Sequence, residues 1–460
     1  MTMTLTTDHQ DNQDPTVPTG GASRSSVQRG PTRRSAGWVI ALCWIVVMLD
    51  GFDLVVLGAA LPAMLDDTAL GLTGSQATML TTVGLVGLAI GGLTIGTLTD
   101  KIGRRRVLVL SVFGFSLFTL FLALPVGVFL FAAFRFISGI FLGGALPTAI
   151  SMVGEFSRQG KTGSATTTVM TGYHIGAVAT ALLAMFLIDA AGWHAMFIAG
   201  AVPGLILGVV LLKALPESPH FLRSVDRDAE ADRIAATYDL ATDDAIDATH
   251  GQEATDHNTV RALLAPAFRR NTAAIWGASF MGLLLVYGLN TWLPQIMREA
   301  DYDLGSSLSF LLVLNLGAIV GLFLAGHVAD RWSPRRTSVL WFTVGAVFLA
   351  LLAVKMPLIV IYAVIFLTGV FVFSSQVLVY AFVSENHPSS IRATAMGFAS
   401  GVGRLGAIAG PLVSGTLVSA GLAYPWGFFV FAIVGLAGAL IFFTSRTLNH
   451  SSQNKVVSQS

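Results

Sequence analysis

The chain carries one cysteine, Cys43, in 460 residues, so no disulfide can join two parts of it. Charged residues are scarce, at 12%, against about 25% in soluble globular proteins. No G-x-x-x-x-G-K-[ST] loop occurs, which leaves ATP-driven work without support. No Cys/His cluster has metal-ligand spacing, and no cofactor or metal is expected. The polar first residues contain no short apolar core followed by a cleavage site, so no cleaved signal peptide is expected. Residues 1–36 read instead as a disordered cytoplasmic tail.

What the chain has in quantity is apolar surface: 54% hydrophobic residues and a mean hydropathy of +0.72. A membrane span needs about 20 mostly apolar residues. About twelve such segments occur. Six lie near 37–63, 75–98, 106–123, 127–154, 163–188 and 194–213. Six more lie near 271–297, 306–328, 336–355, 357–384, 391–418 and 424–445. The expected fold is an all-α membrane protein of twelve transmembrane helices in two six-helix bundles, 37–213 and 271–446. A charged loop at 214–270 joins them, and 447–460 form a second tail. Arg298 and Lys355 alone among the basic residues fall in loops on one side, while Arg135 and Arg404 fall within spans. The remaining Lys and Arg lie on the other side, which places both termini in the cytoplasm of a cytoplasmic-membrane protein. These charges mark loops at a bilayer, not a nucleic-acid face.

The two halves repeat. The loop GTLTDKIGRRR (96–106) matches GHVADRWSPRR (326–336) at one constant offset. Gly96 pairs with Gly326, Asp100 with Asp330, Lys101 with Arg331, and Arg105 and Arg106 with Arg335 and Arg336. The same offset pairs Gly139 with Gly369, Glu155 with Glu385, and His174 with Arg404. Two related bundles that rock about a central site would give this pattern. Small residues recur within the spans, as at Gly84, Gly87 and Gly91, where they allow close helix packing.

Ionisable groups inside the spans mark the candidate site. Asp50 and Asp53, three apart, share one helix face. A carboxylate in the bilayer core needs a water-filled cavity, a partner or a proton. One of the two could carry a coupling proton while the other holds a hydrogen bond or pairs with a basic residue, for instance as a structural ion pair with Arg135. Arg135 lies roughly 12 Å below the outer end of its span, and Arg404 roughly 20 Å from the inner end of its own. A guanidinium grips a carboxylate with two hydrogen bonds, so one of the pair is expected to hold a substrate anion. Arg404, nearer the midplane, is favoured. The alternative for each is a salt bridge between helices. His174, at the repeat position of Arg404, could relay a proton, bind substrate, or simply bond a neighbouring helix. Tyr287, Asn290 and Trp292, with Ser374, Ser375, Gln376 and Tyr380, could line an apolar slot with a few placed hydrogen bonds.

The first loop resembles the signature G-x-x-x-D-[RK]-x-G-[RK]-[RK] of the major facilitator superfamily. On that resemblance Gly96, Asp100, Lys101, Gly103, Arg104 and Arg105 are expected to gate, with Asp330 and Arg331 in the degenerate copy. There Ser333 and Pro334 replace the glycine and first basic residue, and a weaker latch is expected. Glu155 and Glu385, at the inner ends of two spans, are expected to contact these loops. The run D-G-F-D (50–53), PESPHFL (216–222) and IRATAMGFASGVGRLGAIAGPL (391–412) are similar to the aromatic acid:proton symporters of this superfamily, which carry benzoate and hydroxybenzoates. That resemblance implies a requirement for Asp50 and Asp53.

The expected function is therefore proton-coupled uptake of a small aromatic carboxylate by a non-enzymatic carrier. Its partners are the acid, the proton and the lipid bilayer, and nothing requires more than a monomer. A proton-coupled exporter of small organic compounds and a carrier of another organic anion are the alternatives. A membrane sensor would need a signalling domain, for which 214–270 is too short and too charged.

Overall fold

A computed structural model of the chain describes residues 35–157, 162–238, 240, 263–266, 268–387 and 389–447. All but residues 35, 36 and 447 of the expected tails 1–36 and 447–460, and most of 239–267, lie outside these residues. Twelve helices of at least 18 residues dominate. They are α1 (Gly37–Asp66), α2 (Gly74–Ile102), α3 (Arg104–Phe121), α4 (Val128–Phe156), α5 (Thr162–Ala191), α6 (His194–Ala214), α9 (Arg269–Glu299), α10 (Leu304–Arg331), α11 (Pro334–Leu351), α12 (Leu358–Asn386), α13 (Ser389–Ser419) and α14 (Trp426–Phe443). The described residues between the halves include two short helices, α7 (Pro219–Ser224) and α8 (Asp228–Tyr238).

Ten of the helices are long and apolar enough to cross a membrane. The other two long ones, α3 and α11, open on the basic clusters Arg104, Arg105, Arg106 and Arg335, Arg336. Apolar side chains point outward as well as inward: Leu93, Phe129, Phe186, Ile359 and Phe443 are exposed. That distribution suits a lipid surround rather than water.

The repeat in the sequence is a repeat in packing. In one half α1 packs on α5, α2 on α4 and α3 on α6; in the other α9 packs on α13, α10 on α12 and α11 on α14. Glycine permits the tightest of these approaches. A Cβ at Gly87 would strike the carbonyl of Phe136, and one at Gly317 the carbonyl of Phe366. Gly139 against Gly84 is matched by Gly369 against Leu314. Each pair recurs at the offset that relates the loop motifs.

The bundles meet along α2–α13 and α5–α10, with α1 against α9 between them. Their contacts concentrate at the end remote from the arginine clusters. There Arg298 of α9 pairs with Asp66 at 2.9 Å and donates to the carbonyl of Pro62 at 3.2 Å. Gly58 abuts the backbone of Asn290 and Thr291, Gly74 meets Ser419, and Gly415 meets Thr78. Toward the basic end the α13 face widens into free space, where a Cβ at Gly397 or Gly401 would meet nothing.

The connecting segment folds back beneath the first bundle. Ser218 caps α7 by accepting from the Phe221 amide at 3.0 Å, and proline at the first position of α7 suits a helix start. Phe221 and Leu222 are buried, and α8 lays Ala231, Ile234 and Tyr238 against the bundle, with Tyr238 edge-on to Phe156.

Candidate functional site

Asp50 and Asp53 are both buried in the middle of α1, at 1% and 2% exposure, yet their surroundings differ. Asp53 is fully partnered. Arg135 of α4 reaches Asp53 Oδ2 with Nη1 at 2.7 Å and the Asp53 carbonyl with Nη2 at 2.9 Å. The Thr119 hydroxyl of α3 donates to Oδ1 at 2.6 Å, and Ser138 lies 3.1 Å from that hydroxyl. Gly84 of α2 leaves room for the Arg135 side chain. These groups form a closed, charge-neutral unit joining α1, α3 and α4, with two hydrogen bonds from one guanidinium to one residue. Of the readings open for Asp53 and Arg135 in the sequence, this geometry is the ion pair.

Asp50 is not so provided. Its Oδ1 is buried without a hydrogen-bond partner, and among the described residues it forms no ion pair. Arg404, half-buried on α13, lies within electrostatic reach of it. Arg404 also forms no ion pair among the described residues, and donates from Nη1 to the Leu88 carbonyl of α2 at 3.2 Å. Its guanidinium rests over Gly92, where a Cβ would come within 3.0 Å of it. Gly84 and Gly92 are eight residues apart, so the two arginines sit about 12 Å from one another along α2. Arg135 is the deeper from the basic end, sealed inside one bundle. Arg404 bridges the two bundles, with most of its five donors uncommitted.

Three tyrosines surround this unpaired couple. Tyr287 of α9 lies near Asp50, Arg404 and Tyr380. Tyr380 of α12 lies near Arg404 and Gln376. Tyr173 of α5 lies near Tyr287, Asp50 and Asn290. His174 follows it, 8% exposed, edge-on to Phe373 with ring centroids 5.6 Å apart. The site thus draws on α1, α2, α5, α9, α12 and α13, from both bundles. Trp292 is fully buried and packs in the hydrophobic core cluster. Ser374 accepts from Trp341 Nε1 at 2.9 Å, and Ser375 bonds the Val372 carbonyl at 2.7 Å. Both serines serve their own bundle.

Several residues of the site carried no signal that sequence reading used. Asn315 of α10 donates to Asn290 Oδ1 at 3.0 Å; an amide within the apolar run FLLVLNLGAIV was the available clue. Tyr173, Gly92 and Thr119 belong to types common in any span.

At the basic end, Arg104 Nε lies 2.8 Å from Glu155 Oε1 and donates to Ser151. Glu155 Oε2 accepts from the Ser218 hydroxyl. Glu217 accepts from the Arg105 amide at 2.9 Å, and Arg105 reaches the Leu212 carbonyl. Gly103, at φ +98°, sits against Glu217 and Phe221, where a side chain has neither the backbone nor the space. Lys101 is exposed, and the surroundings of Gly96 and the side chain of Asp100 lie outside the described portion. In the second half Ser333 adopts an extended backbone and caps α11. Asp330, Arg331 and Glu385 are exposed there, and Glu385 lies near Asp330. A cleft of about 400 Å³ beside Arg335, Glu385 and Arg392 occupies the place that the 217–222 segment fills in the first half.

Comparison with known proteins adds four findings. The Major Facilitator Superfamily profile matches residues 43–337 and 309–458. The benzoate transport protein of Acinetobacter baylyi is 30% identical over 88% of this chain and 88% of its own length. The gentisate transporter of Corynebacterium glutamicum is 33% identical over 89% of this chain and 86% of its own. The xylose transporter XylE of E. coli, in its inward open conformation, superposes with a TM-score of 0.69 at 16% identity. That match covers 92% of this chain and 99% of the other.

Proposed function

The chain belongs to the major facilitator superfamily, and we propose that it carries a small aromatic carboxylate, with a proton, into the cell across the cytoplasmic membrane. The observation that supports this most directly is the unpaired couple Asp50 and Arg404. Among the described residues, the other deeply placed charges of the central helices neutralise each other within one bundle, Asp53 with Arg135. The benzoate and gentisate carriers above suggest the class of anion, and the tyrosines about Arg404 suit an aromatic ring beside a carboxylate.

In the proposed cycle Arg404 grips the substrate carboxylate with its free donors, and Asp50 takes the proton. With both in place the buried charges are cancelled, which lowers the cost of closing the bundles over the site. The basic end is assigned to the cytoplasm by its arginines. The bundles, joined at the far end and parted at the basic end, are then in the inward-facing state, from which proton and anion leave. The gating residues at the basic end, Arg104 with Glu155 and Arg105 with Glu217, fasten the loop after α2 to the first bundle and move with it. The carrier works as a monomer, since both bundles come from one chain.

The test is uptake of labelled benzoate and hydroxybenzoates into cells expressing the protein, with and without a protonophore. Accumulation that the protonophore abolishes is expected. Asp50→Asn should reduce accumulation at least tenfold while leaving energy-independent exchange of the acid. Protonophore-sensitive accumulation undiminished in Asp50→Asn would refute the assignment of the proton, and no uptake of any aromatic acid would refute the substrate class.

A further inference from the structure

Two glycines follow one another within α2, Gly91 and Gly92, and they face different ways. A Cβ at Gly91 would strike the Ile140 carbonyl of α4, inside the first bundle. A Cβ at Gly92 would meet the guanidinium of Arg404, from the second bundle, at 3.0 Å from Cζ, 3.0 Å from Nη2 and 3.1 Å from Nη1. The group is planar, and no point in its plane can be that far from all three atoms at once, so it lies face-on against the helix. Its edge touches α2 as well: Nη1 donates to the Leu88 carbonyl, one turn back, at 3.2 Å. The surface under it is braced. Gly143 of α4 is so close to this turn that a Cβ there would lie 2.2 Å from the Leu88 carbonyl and 2.6 Å from the Gly92 nitrogen. With α4 packed so closely there, α2 has no room to yield, and a side chain at position 92 must push Arg404 away.

An arginine that grips a carboxylate needs aim as well as charge. The two-bonded grip uses parallel N–H groups in the plane of the guanidinium. The side chain carrying that plane has many rotamers, and confining them costs affinity unless the protein has already done so. Flat on Gly92 and tethered at Leu88, the guanidinium of Arg404 keeps one plane, with its remaining donors along the edges of that plane. The seat and the arginine belong to different bundles, so the plane is held only while α2 and α13 touch at this level. Once they part, the side chain is free to swing.

We infer that Gly92 is a positioning residue for the substrate: it seats the Arg404 guanidinium so that its free edge meets the carboxylate, and it ties that grip to contact between the bundles. This rests on the reading of Arg404 as the partner of the substrate anion.

The experiment measures KM and maximal rate for uptake of labelled benzoate and 4-hydroxybenzoate by the wild-type protein, Gly92→Ala, Gly92→Val, Gly84→Ala and Arg404→Lys. The melting temperature of each solubilised carrier is measured alongside. Gly92→Ala should raise KM about threefold and Gly92→Val about tenfold or more, as charge-assisted hydrogen bonds are misaligned and then lost. The melting temperature of Gly92→Ala should not fall, because alanine is favoured over glycine in a helix. Gly84→Ala crowds Arg135 in its closed pair with Asp53, and should do the reverse: a lower melting temperature with KM unchanged. Where Gly92→Val is not recovered as a monodisperse protein, Gly92→Ala decides alone. An unchanged KM in the folded Gly92 variants would overturn the seat and leave the aromatic-carboxylate reading intact. An equal rise in Gly84→Ala would do the same, by marking a packing effect common to α2. A wild-type KM in Arg404→Lys, which keeps the charge without the plane, would overturn the grip of Arg404 and the seat with it. Transport of neither acid by the wild type would overturn the aromatic-carboxylate reading as well.

Discussion

At the scale of the residue, the two aspartates of α1 show how one turn of helix divides labour. Asp53 is bound to Arg135 and Thr119, so its charge is spent on holding α1, α3 and α4 together. Removing one member strands the other in a buried position, at a cost of about 3–5 kcal/mol, whereas replacing both with apolar groups is often neutral. Arg135→Met and Asp53→Leu are each expected to yield aggregated or unstable protein. The double variant should recover most of the monodisperse peak in size-exclusion. If Arg135→Met alone were as stable as wild type, the pair would not have the structural role assigned to it. Both aspartates and both arginines were legible in the sequence, because ionisable groups stand out in apolar spans. Which aspartate is partnered was not. That depends on Gly84 opening a path for Arg135 while Gly92 does the same for Arg404, and small residues of α2 give no such hint by themselves.

At the scale of the element, the glycines divide into those pressed against a neighbouring backbone and those beside empty space. Alanine in a helix interior is favoured over glycine by about 1 kcal/mol, whereas a methyl forced into packed backbone costs about 1–3 kcal/mol. Gly87→Ala and its repeat partner Gly317→Ala should therefore lower the melting temperature of the solubilised protein. Gly397→Ala should leave it unchanged or raise it. A thermal-shift series on the three decides the matter, and equal behaviour would contradict the packing. The spans themselves were legible from hydropathy, six and six. The helices run past them, notably at the ends of α2 and α4, because polar residues beyond the apolar run continue the backbone hydrogen bonding outside the lipid. Helices α7 and α8 were not read out of the charged loop. Their few apolar positions bury against the first bundle, a tertiary effect with no long run to announce it.

At the scale of the whole molecule, the repeat offset read from two loops proved to relate helix contacts, and that is why the architecture could be inferred from one sequence. The state of the carrier could not, since the same chain must adopt more than one. Its far end is closed by Gly58, Gly74 and Gly415, all seated on the opposite bundle. Cysteines introduced as Gly74→Cys and Ser419→Cys would place their Cβ atoms 3.5 Å apart, within disulfide reach across that seam, and the buried Cys43 stays out of reach. Oxidation should halt uptake and a reductant restore it. Full uptake in the oxidised protein would show that this seam never opens. In the proposed cycle, Asp50 and Arg404 set the charge that moves with the bundles. Empty, the site holds one negative and one positive charge; loaded with an anion and a proton, it again sums to zero. Every movement of the bundles then shifts no net charge through the electric field, which would otherwise contribute about 2.3 kcal/mol per elementary charge per 100 mV. Membrane voltage has no hold on such a cycle, and a cell using it can concentrate the acid only as far as its pH gradient allows.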